Sequence, residues 1–258
     1  MNSSITAVII TQDEERNIGR CLQSLCGVVD GVVVVDSGST DATEEICRGF
    51  GERGELAVRF VHHDWVGYSA QKNYANGLVD DGWILSIDAD EALSDGLRAS
   101  LLKLKSEPAM DGEAYRFPRL NNYCGHWLRH GGWYPDEAVR LWRAGAAEWE
   151  GLVHETLRWR APVVTRKLEG DLLHYTYYGV DEHARRTAKY APMAAEKAYE
   201  NGKRCGWGSI VFRPAWTFLS SYVLKLGFLD GGAGFVASRI SAHYTLLKYA
   251  RLRELSSR

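Results

Sequence analysis

Apolar residues along the first ninety positions follow two alternating rhythms. The runs ITAVIIT (5–11), GVVVVD (31–36), AVRFVHHD (57–64) and WILSIDAD (83–90) are short and rich in β-branched residues, as strands covered on both faces require. Between them lie stretches with helical spacing. In EERNIGRCLQSL, Ile18, Cys21, Leu22 and Leu25 fall on one face; STDATEEICRGFGERG offers Ser39, Thr40 or Asp41 as a cap and a glycine-rich stop; YSAQKNYANGLV supplies a third helix. This alternation predicts an α/β fold, a mostly parallel sheet with helical crossovers. Ligands of such sheets bind beyond the carboxyl ends of the strands.

Near residue 180 the rhythm changes. EHARRTAKYAPMAAEKAYENGKRCG (182–206) reads as an amphipathic helix, and the remainder as apolar helices broken at Pro214 and at Gly231, Gly232 and Gly234. The expected division is a sheet domain, 1–180, and a helical region, 181–258. No uncharged run reaches ~18 residues, so a membrane-spanning helix is not expected.

Composition adds a charge asymmetry. The net charge is -2, yet residues 1–182 hold 18 Lys/Arg against 29 Asp/Glu, while residues 183–258 hold 13 against 4. A basic tail implies a polyanionic neighbour, either an anionic membrane surface or nucleic acid. Trp207, Phe212, Trp216, Phe218, Phe228 and Phe235, interspersed with Arg204, Arg213, Lys225 and Arg239, suit a lipid headgroup layer, and nucleic acid is not expected. Packing of these helices on the sheet domain or on a second subunit stays open. Hydrophobic residues make up 45% of the 258, ample for a substantial core. Five cysteines, Cys21, Cys26, Cys47, Cys124 and Cys205, form no CxxC pair, which argues against a disulfide framework or a cysteine zinc site and for a reducing compartment. MNSSITAVII lacks a basic segment before its apolar run and reads as a first strand, not a signal peptide.

The strand-end rule gives the acids a pattern. Asp13 and Glu14 follow the first strand, Asp36 and Asp41 the second, Asp64 the third, and Asp88, Asp90 and Glu91 the fourth, all on one edge of the sheet. Close like charges repel and desolvate poorly, so a cluster of this kind calls for a cation. Acids also favour turns and helix starts, and Asp36 alone would be a capping residue as readily as a ligand. A small set of oxygen ligands suits Mg²⁺ or Mn²⁺, whose open positions phosphate oxygens fill, so a nucleoside diphosphate is the natural guest. VDSGSTD has no Walker lysine and no GxGxxG opens the first helix, which weakens ATPase and dinucleotide alternatives.

The stretches AVIITQDEERNIGRCLQSL, VVVVDSGSTDAT, QKNYA and LSIDADE, in this order and spacing, resemble the family 2 glycosyltransferases, inverting enzymes of the A-type nucleotide-sugar fold. The resemblance covers about the first 160 residues. WYPDEAVRLWR and GLVHETL further resemble members that extend the inner core of bacterial lipopolysaccharide, including β-1,4-glucosyltransferases. The resemblance implies an A-type, Rossmann-like sheet, here with a helical C-terminal extension. It also implies a UDP-sugar donor, expected to be UDP-glucose, a divalent metal (Mg²⁺ or Mn²⁺), and a saccharide acceptor on a membrane lipid. Thr11, Glu14 and Asp36 would line the base and ribose pocket, with Lys72 and Asn73 beside the uridine or diphosphate. Asp88 and Asp90 would form the DxD pair, Asp90 as direct metal ligand and Asp88 nearer the ribose.

Inversion needs a general base opposite the departing UDP. Glu155 in HETL is the expected base and Asp136 in WYPDE its competitor; the Glu-Asp spelling common in the family is absent here. A plain surface ion pair is the alternative for Glu155. His174 is a second candidate for the metal or diphosphate, against simple packing among its aromatic neighbours, and His154 would position Glu155. Arg140 and Arg143 would meet phosphates of donor or acceptor, or the acidic cluster itself. Residues 115–136, YRFPRLNNYCGHWLRHGGWYPD, fit either of two pictures. One is a mobile segment in which Trp127, Trp133 and Tyr134 stack on the acceptor while Arg129 or His130 meets its anionic groups; the other is a β-hairpin with packed aromatics.

A catalytically silent nucleotide-sugar-binding scaffold attached to membrane is the alternative to an enzyme. A processive synthase is disfavoured by the missing QxxRW motif. The expected place is the cytoplasm, peripheral on the inner face of the bacterial cytoplasmic membrane, and a homo-oligomer stays open.

Overall fold

The computed structural model describes residues 4–106, 113–151 and 155–257. The chain forms two compact units, one comprising residues 1–119 and 137–174 and the other residues 120–136 and 175–258. This differs from a simple break near residue 180. The second unit starts at Tyr175 and also takes in residues 120–136, a stretch expected to belong with the sheet.

In the first unit the expected alternation is present. β1 (Ile5–Thr11), α1 (Ile18–Leu25), β2 (Gly31–Asp36), α2 (Thr43–Glu52), β3 (Val58–His62), α3 (Tyr68–Asn76) and β4 (Trp83–Ser86) follow in order. β1 pairs in parallel with β2 and β4, and β2 with β3. Alternate residues face opposite ways in a strand, and both faces are filled. Ile5, Ala7, Ile9, Val32 and Val34 join one core cluster with Ile18, Cys21, Leu22 and Leu25 of α1, while Val8, Val33 and Val35 join another with Ala75 of α3.

Beyond β4 the pairing becomes mixed. β5 (Glu91–Leu93) and α4 (Asp95–Ser106) precede β6 (Glu113–Tyr123), β7 (His126–Leu128) and β8 (Asp136–Arg143). β9 (Ala147–Glu150) and β10 (Thr156–Trp159) make a separate two-stranded sheet, followed by β11 (Val164–Lys167) and β12 (Leu172–Tyr177). The main sheet runs β3-β2-β1-β4-β8-β6-β12-β5, with β8 antiparallel to β4 and β12 antiparallel to β5. The register of β12 on β5 sets His174 opposite Glu91. The parallel strands β1 to β4 are those the strand and helix rhythm implied, and the mixed sheet as a whole fits the A-type fold that the resemblance implied.

In the second unit, residues 120–136 form a hairpin, the second of the two expected pictures. Asn122 pairs with Trp127 and Tyr123 with His126, across a two-residue turn of Cys124 and Gly125 whose φ values are 50° and 88°. Two successive positive φ angles are what a tight hairpin of the strands' own twist demands. The aromatics expected to stack on an acceptor are packed instead. Trp133 lies edge-on to Tyr123, Tyr177 and His183, at 6.2, 6.4 and 6.1 Å, and Trp127 edge-on to Tyr175 at 5.3 Å. Tyr134 lies 5.7 Å from the Arg129 guanidinium. His130 is engaged too: its Nδ1 lies 2.8 Å from Asp230 Oδ1, while the backbone N–H groups of Arg129 and His130 donate to the same carboxylate.

The remainder of this unit is helical. α5 (Val180–Glu200) and α6 (Trp207–Phe218) both pack on α7 (Gly231–Ser256), and α6 continues as a π-helical turn, Leu219–Leu224, and a 3-10 turn, Gly227–Asp230. Among the described residues no helix is long and apolar enough to cross a membrane.

Candidate functional site

The acids assigned to the strand ends, Asp13 to Glu91, lie at or beyond the carboxyl ends of β1 to β4, as the strand-end rule requires, but among the described residues no three of them gather as a metal site. The βα turns after β1 and β2 bond to each other. Asp13 Oδ1 accepts the Thr40 N–H at 2.8 Å, Asp41 Oδ2 accepts the Glu15 N–H at 3.0 Å, and Glu15 Oε2 accepts the Ala42 N–H at 3.0 Å. The Glu14 N–H donates to Thr43 Oγ1 and its Oε2 accepts from Asn17 Nδ2, so Glu14 shapes the start of α1. Asp36, buried at the end of β2, closes its own turn by accepting the N–H groups of Gly38 and Ser39, both at 2.9 Å, and the Ser39 hydroxyl at 2.5 Å. Gly38 has φ +86°, which lets the turn bend back on the carboxylate. These acids are local hydrogen-bond acceptors. Among the described residues no group of three or more His, Cys, Asp or Glu is arranged to hold a metal ion. The expectation of one shared cation for the whole rim therefore gives way to a smaller centre.

That centre is a cage of opposite charges after β4. Asp88 Oδ1 lies 3.2 Å from Lys72 Nζ of α3, and Asp88 Oδ2 lies 3.1 Å from Arg140 Nη2 of β8. The same Arg140 nitrogen lies 2.9 Å from Glu91 Oε1, and Arg119 of β6 stands 3.6 Å from that oxygen. Glu91 Oε2 accepts the Asp88 N–H at 2.9 Å, which ties the turn between β4 and β5 to itself. Lys72, Glu91 and Arg140 are all buried, so each depends on its partners for its charge.

Burial alone would raise the Asp88 pKa, but the Lys72 ammonium and Arg140 guanidinium outweigh it and hold the carboxyl well below the usual range. Burial pushes Glu91 up, against the pull of Arg140. Burial opposes the charge on Arg140 as well, yet Glu91 and Asp88 drive its pKa above the ordinary arginine value. Both Asp88 oxygens are thus occupied by cations, and Asp88 works here as the holder of Lys72 and Arg140. Sequence reasoning named Glu91 in the cluster but gave it no role; the structure makes it the buried hub. Its signal was the third acid of DADE, unreadable without the partner strand.

Asp90 is held differently. Its Oδ2 lies 3.3 Å from His174 Nε2, and both side chains are partly exposed. Neighbouring ligands on a six-coordinate Mg²⁺ or Mn²⁺, bonded at ~2.1 Å, stand ~3.0 Å apart, so this pair fits two positions of such an ion with phosphate oxygens and water for the rest. Thr11 Oγ1 and Arg140 Nη1 are buried polar atoms without a hydrogen-bond partner among the described residues. Orphaned buried groups of this kind are suited to a polar ligand.

Other expected residues have different work. Asn73 is pinned to β9: its Nδ2 donates to the Trp149 carbonyl at 2.9 Å and its Oδ1 accepts the Trp149 N–H at 2.7 Å. Lys72 Nζ lies 4.9 Å from the Trp149 ring, a contact with no clear trace in the sequence. Arg143 lies at the other end of β4 from the acidic cluster. β8 runs antiparallel to β4 and sets Arg143 opposite Trp83, at the amino end of β4, whereas the acids follow its carboxyl end. Three residues of strand, ~10 Å, separate it from Arg140, and odd spacing turns it to the other face. Its guanidinium lies over the Trp83 ring at 4.9 Å. Glu155 is half-buried, immediately before β10, and Asp136 opens β8. His154 lies outside the described residues.

Comparison with known proteins bears on this geometry. Residues 6–155 match the profile described as glycosyl transferase family 2. The chain is 30% identical over 257 residues to the lipopolysaccharide core biosynthesis glycosyltransferase LpsC of Rhizobium meliloti (strain 1021), covering 96% of this chain and 91% of that one. It is 28% identical to a glycosyltransferase of Rickettsia typhi (strain ATCC VR-144 / Wilmington), over 98% of this chain and 87% of the other. Among solved structures it is similar to the mannosyltransferase PcManGT of Pyrobaculum calidifontis in complex with GDP-Man and Mn²⁺, with a TM-score of 0.55 at 15% identity, covering 98% and 87% of the two chains. Profile, relatives and fold agree, and the chain belongs to glycosyl transferase family 2.

Proposed function

We propose that this glycosyltransferase is a metal-dependent, inverting hexosyltransferase that moves a sugar, glucose from UDP-glucose, onto a saccharide carried by a membrane lipid such as the lipopolysaccharide inner core. The observation that carries the proposal is the Asp90–His174 pair, 3.3 Å apart, next in sequence and strand pairing to the Lys72–Asp88–Arg140–Glu91 cage. The name of the Rhizobium meliloti relative supports the acceptor class, and the Mn²⁺ in the complex of the archaeal fold neighbour agrees with the metal.

Asp90 and His174 would hold Mg²⁺ or Mn²⁺, which, when bound, neutralises the diphosphate and stabilises departing UDP. Lys72 and Arg140 are the cations that Asp88 and Glu91 fix in place, and they present positive charge to the phosphates without reorganising. The buried Thr11 hydroxyl and the turn of Asp36 line the nucleoside side. Glu155 takes the proton of the acceptor hydroxyl; Asp136 is its competitor. Trp133 and Tyr134, packed in the hairpin, have no part in this reading. The enzyme works in the cytoplasm at an anionic membrane surface.

The test is UDP release from a panel of nucleotide-sugars with Mn²⁺ and a lipopolysaccharide-core acceptor. UDP-glucose should be preferred; Glu155→Ala should lower kcat by at least ~10²-fold, the scale of a lost acid–base group, and Asp90→Ala should lower activity and raise the Mn²⁺ concentration needed for half-maximal rate. Tight UDP binding with no turnover for any acceptor would favour the scaffold. Full activity of Glu155→Ala with loss in Asp136→Ala would exchange their roles.

A further inference from the structure

The longest stretch of this chain without an acid in its basic tail is also the part of the fold left most open. Residues 201–229 contain Lys203, Arg204, Arg213 and Lys225 and no Asp or Glu. They make up α6, its π-helical continuation and most of the 3-10 turn. α6 buries none of its side chains. Trp207, Phe212 and Trp216 are 69%, 73% and 60% exposed, and Val211, Leu219 and Leu224 are also exposed.

The exposure has a direction. At about 100° per residue, Val211, Leu219, Phe212 and Trp216 fall within one arc of roughly 140°. α7 packs across from it: Thr217 lies against Thr245 and Arg213 against Tyr249, while Phe218, against Phe235, and Trp207, beside Arg253, border the open arc. One side of α6 is therefore packed within its own unit, and the opposite side is apolar with no cover. A soluble surface seldom carries an apolar patch of this size without an occupant.

Charge decides the occupant. A second copy or another protein would ordinarily meet this patch across a rim of both signs, whereas here every charge from residue 201 to 229 is positive. We propose that α6 and its continuation to Leu229 lie in the headgroup layer of an anionic phospholipid bilayer. The arc of Val211, Phe212, Trp216 and Leu219 enters the acyl boundary, while Lys203, Arg204 and Lys225 meet lipid phosphates. Aromatic residues with an apolar body suit that boundary, and basic side chains reach back to phosphate from a helix lying flat. Binding is through the surface, since no described helix is long and apolar enough to span. This proposal does not depend on the sugar-transfer chemistry; it deepens the membrane side of the proposed function by naming the surface.

The experiment is flotation of the full chain with vesicles of phosphatidylcholine alone and of phosphatidylcholine with phosphatidylglycerol, beside UDP release from UDP-glucose without vesicles. The chain should float with the anionic vesicles, less so in high salt, and stay behind with the neutral ones. Phe212→Glu/Trp216→Glu should lower partition at least tenfold with unchanged UDP release and thermal melting, because both side chains are exposed and outside the donor site. Lys203→Gln and Lys225→Gln should each lower partition roughly fivefold at low salt. Three results would overturn the proposal: a wild-type chain that stays behind with every vesicle, a double variant that floats as well as the wild type, or light scattering showing a dimer that the double variant turns into monomers. Loss of UDP release with flotation intact would sink the sugar-transfer proposal and leave this one standing.

Discussion

Removing Glu91 tests the cage directly. In Glu91→Ala, Arg140 loses the oxygen 2.9 Å from its Nη2, the Asp88 N–H loses its acceptor, and a buried guanidinium is left with only Asp88. Breaking a buried pair from one side costs about 3–5 kcal/mol, because the remaining charge stays desolvated. For a chain of this size each kcal/mol shifts Tm by roughly 2–4 °C, so Glu91→Ala should melt about 6–20 °C below the wild type. Arg158→Ala is the control. Its partners Glu148 and Glu150 are solvated, and exposed pairs contribute about 0–1 kcal/mol. The double variant Glu91→Ala/Arg140→Met should lose less than the sum of the single losses, by about 2 kcal/mol, since each removal relieves the orphan left by the other. Circular-dichroism melts and urea unfolding of these variants and the wild type, without nucleotide, give these values. A Glu91→Ala loss no larger than that of Arg158→Ala, or strictly additive single losses, would refute a buried, mutually dependent cage.

Three further outcomes follow from separate features. His183, stacked on Tyr177 and 3.1 Å from the Tyr123 hydroxyl, has its pKa held down to about 4 by burial, with Arg186 adding to the effect. The unfolded chain binds this proton near pH 6.5, so the native state gives up stability as pH falls from 6.5 toward 4, up to ~3 kcal/mol; melting of His183→Gln across that window should be flatter than wild type, and parallel curves would contradict it. Asn73→Ala removes both hydrogen bonds to the β9 backbone and should lower the urea midpoint by an amount equal to about 1–3 kcal/mol, with the slope m unchanged. Arg143→Met should leave the KM for the nucleotide-sugar within about twofold, whereas Arg140→Met should not; a large KM effect at Arg143 would overturn the register argument.

The first four strands and three helices were legible because their signals are local: apolar runs of β-branched residues and one-sided spacing such as Ile18, Cys21, Leu22 and Leu25. Strand-end placement of the acids followed from the same alternation. What they do there was not legible. Whether Asp88 meets a metal or a cation depends on Lys72 and Arg140, 16 residues before it and 52 after it, and sequence spacing carries no record of that meeting. Arg140 and Arg143 look interchangeable in RLWR; only the antiparallel register of β8 on β4 separates them. Trp133 and His130 read as acceptor contacts because aromatic and basic residues look alike whether they await a sugar or complete a small core. Exposure of α6 is the converse case, since its apolar face has the composition of a buried helix and only the packing of its other side on α7 shows that it is open.

The anchoring of Asp230 also sets an order of events during synthesis. Its carboxylate holds Arg129 and His130, about a hundred positions earlier in the chain. A ribosome adding ~5–20 residues per second delivers the hairpin several seconds before the residue that fastens it. For the first half of that interval Tyr123, Trp133 and their neighbours lack Tyr177 and His183 as well, so the hairpin waits with its aromatic side unsealed. A chain that stops short of Tyr177 keeps that waiting state permanently and becomes a natural substrate for chaperones or proteases.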